Sequence, residues 1–115
     1  MANTELKVSS TSRKPREGIQ IRLADETVTY IVDVSEIASS VSLASTEIYR
    51  STDNYTTDYR TSHSSGTPSV TGTSIRLPKM ENLAAGVTYR TILEFTDEGT
   101  NVNRIVIITH CKANK

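Results

Sequence analysis

One feature constrains this chain above all others: apolar residues recur with period two. In residues 87–96, Val87, Tyr89, Leu93 and Phe95 share one face with Thr91 between them, while Thr88, Arg90, Ile92 and Glu94 take the other. Successive side chains of a strand point to opposite faces, so this run reads as a strand with a buried side. Residues 27–34 repeat the pattern, with Val28, Tyr30, Val32 and Val34 inward and Thr27, Thr29, Ile31 and Asp33 outward. Ile19, Ile21 and Leu23 mark a shorter run, expected to face the core, and Ile75 and Leu77 mark another, stopped by Pro78. No stretch carries an apolar stripe of helical period. About a quarter of the residues are Ser or Thr, types that suit strands and turns. The chain is expected to be all-β.

The remaining segments fit around these runs. Residues 35–40 form a short helical turn whose Ile37 plugs one end of the core. In residues 41–50, Val41 and Leu43 start on one face and Ile48 falls on the other, which predicts a bulge near residues 44–46. Residues 51–70 are the longest region of poor patterning, with a short edge strand at 56–60 and a loop at 62–68 by composition. Met80, Leu83 and Ala85 lie in a connector. Residues 97–101 read as a hairpin loop with Gly99 placed for a positive φ. In the last run, Ile105-Val106-Ile107-Ile108 is apolar on both faces, which fits core on one side and a partner on the other. Ile92, Val106 and Ile108 would line up as an outward apolar strip. Exposed, it implies a partner; covered by the N-terminus, it does not.

About seven strands with turns between them, and no helix for a parallel crossover, call for two packed antiparallel sheets. The expected division is an N-terminal arm at 1–17, a sandwich at 18–111 and a tail at 112–115. The arm is poor in apolar residues and carries Arg13, Lys14 and Arg16. It reads either as a frayed terminus or as an arm that docks on a neighbouring subunit. Deleting 1–15 should then leave melting almost unchanged. The start also lacks the apolar stretch of a secretory signal.

Leu83-Ala84-Ala85-Gly86-Val87-Thr88-Tyr89 has the form Leu-x-x-Gly-x-x-Tyr before an alternating strand. It resembles the corner of immunoglobulin-like and fibronectin-like sandwiches, where a tyrosine hydroxyl bonds back to upstream backbone. Leu83, Gly86 and Tyr89 are its structural residues here. The wider layout resembles small immunoglobulin-like virion proteins of tailed bacteriophages. The matching features are Lys14-Pro15-Arg16-Glu17-Gly18 before an Ile-x-Ile run, Asp33-Val34-Ser35-Glu36-Ile37, Ile37-Ala38-Ser39-Ser40-Val41, and the Gly-x-x-Tyr strand with its hairpin. The resemblance covers residues 14–110. It implies an immunoglobulin-like β-sandwich that is not an enzyme, found in virions assembled in the host cytoplasm. Such proteins decorate or cement capsid shells, or sit at the neck or tail. The implied partners are a major capsid protein or neck and tail proteins, with homo-oligomers on the particle. Small size and the absence of oligomerising helices favour shell decoration. A carbohydrate- or receptor-binding module on the same fold is the alternative, lowered by the lack of Trp.

Charge and chemistry narrow the classes. Thirteen basic residues balance thirteen acidic ones, and a nucleic-acid binder would need a basic stripe. No run of 18 apolar residues occurs, so no membrane helix is expected. Cys111 is the single cysteine, which excludes an internal disulfide and reads as a small buried thiol. His110 adjoins it, but neighbouring strand residues face opposite ways and cannot act as a pair. Asp53 and Asp58 lack the further oxygens a calcium loop needs. No catalytic residue, metal or cofactor is expected. The candidate partner-binding residues are Arg13, Lys14 and Arg16 in the arm, with Tyr49, Arg50, Tyr55, Tyr59 and Arg60 around the polar loop, because tyrosine offers apolar area with a polar tip.

Overall fold

The alternating runs become strands of two stacked sheets. The computed structural model describes residues 2–8 and 18–113. Among them are eight strands: β1 (Ala2–Lys7), β2 (Gln20–Leu23), β3 (Val28–Asp33), β4 (Val41–Arg50), β5 (Ser69–Thr71), β6 (Ser74–Arg76), β7 (Thr88–Asp97) and β8 (Val102–Lys112). The first sheet has the order β1-β3-β6-β5 and the second β2-β8-β7-β4. A turn of 3-10 helix (Ser51–Asp53) and one α-turn, α1 (Arg60–His63), interrupt the β pattern.

The apolar faces meet as their spacing demands. Val28, Tyr30, Val32 and Val34 from the first sheet, with Ile75 and Leu77, oppose Ile48, Tyr89, Leu93, Phe95, Ile105 and Ile107 from the second. All are buried. At roughly 1.5–3 kcal/mol per large apolar side chain, this layer is the main stabilising term. The Tyr30 hydroxyl lies 2.7 Å from the Thr109 hydroxyl, so a hydrogen bond spans the two sheets where an unpaired phenol would be costly. Burial pushes the Tyr30 phenol above its ordinary pKa. Thr91, the polar position on β7's inner face, donates its hydroxyl to the Met80 sulfur at 3.7 Å.

The parity break in β4 is absorbed by a register shift between Ser42 and Ser45. Leu43 sits there with φ of 53° and is turned out to solvent. One extra residue flips everything beyond it, which lets Ile48 face the core. Residues 35–37 form the expected turn, and Ile37 packs against the core edge.

Several expectations change. The sheets are mixed and not purely antiparallel, because β1 pairs parallel with β3 and β2 parallel with β8. Parallel neighbours need a long connection, and here residues 8–27 and the body of the domain supply it. Residues 2–8 are not an arm: β1 lies against β3, Leu6 and Val8 are buried, and the Val8 N–H donates to the Asp33 carbonyl at 3.0 Å. Arg13, Lys14 and Arg16 lie outside the described residues. The β2 face is inverted. Gln20 and Arg22 stand opposite the core-facing Thr109 and Cys111, so Ile19, Ile21 and Leu23 face outward, 59%, 47% and 42% exposed. A one-residue change of register flips every side chain of a strand. In the 97–101 hairpin the residue with positive φ is Thr100 and not Gly99. The Asp97 carboxylate accepts from the N–H groups of both Gly99 and Asn101 and sets that shape. β8 runs on to Lys112, one residue into the expected tail.

Candidate functional site

The corner reading holds in geometry. Leu83 is buried, Gly86 has φ of 80°, and the Ala84 N–H donates to the Tyr89 hydroxyl at 2.7 Å. The chain crosses between sheets here, which strands backbone groups, and the phenol satisfies one of them. Burial raises the Tyr89 pKa. Tyr89→Phe should lower stability by about 1 kcal/mol, and urea unfolding checks it; no measurable loss would show the bond to be idle.

Against this corner packs a cluster that composition alone presented as loop. His63, at the end of α1, is 3% exposed and meets the Tyr89 ring edge-on at 4.8 Å. Its Nδ1 lies 3.0 Å from the Glu81 carbonyl, which can only accept, so Nδ1 carries the proton. Its Nε2 is 3.5 Å from the Arg50 guanidinium. Burial, reinforced by the Arg50 charge, holds the His63 pKa below its usual value. The unfolded chain therefore binds a proton at a pH where the folded one does not. Stability is full above the unfolded value near 6.5 and falls as pH drops below it. Denaturant unfolding at pH 7.5 and pH 5 should show that loss, and His63→Gln should flatten the slope.

The polar segment around α1 covers an edge. No strand forms at 56–60; instead the Asp58 carboxylate accepts the Ile48 N–H at 2.9 Å and the Tyr59 N–H donates to the Ile48 carbonyl at 2.7 Å. A side chain and one amide thus serve as the partner that the β4 edge would otherwise lack. The tyrosines and arginines of this region divide. Arg50 turns inward, its guanidinium 3.3 Å from the Tyr59 ring centroid, and the Tyr59 hydroxyl donates to Asp53. Both are used within the fold. Tyr55, held at φ of 59°, lies 4.1 Å beneath the Arg90 guanidinium, on the outer side of the second sheet with Tyr49. Arg60 lines a polar groove of about 430 Å³ with Glu47, Asp58, Glu94 and Arg104.

That outer side carries several apolar residues among the described ones. The register places Arg90 opposite Ile108, Ile92 opposite Val106, and Glu94 opposite Arg104. Ile21 stands opposite His110 and Leu23 opposite Lys112. Ile21 therefore shares the outer face of the sheet with Ile108, Val106 and Ile92, with exposed Ile19 just before β2 and Leu23 farther along beside Lys112. No described element covers it, since β1 belongs to the other sheet. The Glu94–Arg104 ion pair at 2.9 Å, Arg90 and His110 border the strip. An apolar centre with a charged rim is the anatomy of a protein-binding surface. Sequence reasoning found Ile92, Val106 and Ile108, but missed the exposed β2 residues, because their alternation reads equally well as core.

Other chemistry is accounted for locally. Cys111 is buried, and burial raises its thiol pKa. His110 faces the opposite way and bonds the Thr88 hydroxyl at 2.9 Å. The Asp53 and Asp58 carboxylates accept backbone N–H groups of Thr56, Ile48 and Arg60. Among the described residues, no three His, Cys, Asp or Glu side chains gather as metal ligands, and no helix is long and apolar enough to cross a membrane. No family model matches the chain, and neither does any curated protein or solved structure.

Proposed function

We propose that this chain is a non-enzymatic structural protein of a tailed-bacteriophage particle, one that decorates the shell and binds the major capsid protein through the outer face of its second sheet. The observation that carries this reading is the uncovered apolar strip with its charged rim. Burying the rest of this strip is worth roughly 25 cal/mol per Å²: Ile92, Val106 and Ile108 are half-buried by their strand neighbours, while Ile19, Ile21 and Leu23 stay exposed. The strand arrangement supports an immunoglobulin-like reading. The orders β3-β6-β5 and β8-β7-β4 correspond to the B-E-D and G-F-C strands of such sandwiches, and the tyrosine corner falls at the start of the F-like strand. A balanced net charge suits binding to protein in preference to nucleic acid.

Copy number is the test. Quantitative mass spectrometry of purified particles should find the protein in proportion to capsomers. A single ring's worth of copies would move it to the neck or tail, and absence from particles would end the virion reading. Binding on a glycan array without particle association would favour the carbohydrate module.

A further inference from the structure

We propose that β1 is an exchangeable strand: the slot beside β3 takes residues 2–8 from a second copy of this chain. The inference rests on strand pairing alone and stands apart from the particle reading. β1 is a self-contained docking unit. It pairs with β3 in continuous parallel register from Ala2 opposite Val28 to Lys7 opposite Asp33. Leu6 and Val8 fill the core behind it. Its other ties include the Lys7 ammonium on the Asp33 carboxylate at 3.0 Å and on the Ser35 hydroxyl at 3.3 Å, the Val8 N–H on the Asp33 carbonyl, and the Thr4 hydroxyl accepting from Arg22. Every one of these contacts would be the same if the strand came from another molecule.

Chain length allows both sources. Stacked sheets lie about 10 Å apart, whereas the nine residues 9–17 can reach about 30 Å when extended. The connection to β2 is thus longer than the crossing from one sheet to the other demands. Exchange of an identical element costs no contacts and is favoured wherever copies are crowded. The slot is specific for this segment, since it needs apolar residues at alternate positions and a cation opposite Asp33.

Variants of the full chain carrying Cys111→Ala, so that only introduced thiols are present, decide the matter. Glu5 and Ile31 stand directly opposite in the ladder, at a separation a disulfide bridges. Glu5→Cys and Ile31→Cys chains are refolded together at about 1 mM, near the effective concentration of a short tether, and then oxidised. A disulfide-linked dimer joining positions 5 and 31, at least about fivefold above that formed by Glu5→Cys with Thr100→Cys, is the expected result. Thr100 lies in the 97–101 hairpin and serves as the collision control. Equal yields from the two mixtures would overturn the proposal. So would no dimer from the mixture while the Glu5→Cys/Ile31→Cys double variant closes within one chain. Failure of the double variant to close at all would refute the β1–β3 pairing itself.

Discussion

Leu6→Ala should lower the unfolding free energy by about 2–4 kcal/mol, the range for truncating a buried leucine, and should lower Tm by roughly 10 °C or more in a domain of this size. Leu6 is 1% exposed although it lies only six residues from the start of the chain. Its side chain closes the core beside Val32, its partner across the parallel ladder. Removing residues 1–8 should cost more, because Val8 leaves with it and β3 gains an open edge. Urea unfolding followed by circular dichroism measures both changes. A loss below about 0.5 kcal/mol for Leu6→Ala, the size of an ordinary surface substitution, would mean that the first residues are an arm after all.

The second large effect concerns binding and not stability. Ile21→Glu combined with Ile108→Glu should weaken particle association about a hundredfold or more, equivalent to roughly 3 kcal/mol. These residues stand on neighbouring strands of one face, so the two carboxylates would have to be buried unpaired in any docked state. Both side chains are partly exposed in the free protein, so Tm should move little by comparison. Equal losses of binding and of folding would show that the face serves only the fold.

How much of this was legible in the sequence depends on how many registers each segment could satisfy. The core faces of β3, β6 and β7 could be read directly, because their alternation is long or is closed by a breaker such as Pro78; Thr29 of β3, expected outward, is buried instead. The bulge in β4 showed itself as a change of parity between Val41 and Ile48. β2 was misread, since Ile19, Ile21 and Leu23 alternate just as a core strand does. What turns them outward is pairing with β8, a contact about ninety positions away that no local pattern encodes. β1 was missed for a different reason. Leu6 and Val8 are too few to signal a strand among so many polar neighbours, and only the empty edge of β3 gives them a role. The outer apolar face proposed for docking was half visible, in Ile92, Val106 and Ile108, and its other half followed the fate of β2. His63 read as a residue of a Ser-rich loop, and its burial went unseen because nothing near it in the chain announces the tyrosine corner on which α1 rests.

The outer face of the second sheet is the face proposed to dock. Cysteine footprinting on the particle tests it most directly. An Ile108→Cys protein should react with a thiol reagent when free and be protected when bound. Ile31→Cys, on the outer face of the first sheet, should react in both states. Ile108→Cys reactivity unchanged by binding, with Ile31→Cys protected in its place, would contradict the account.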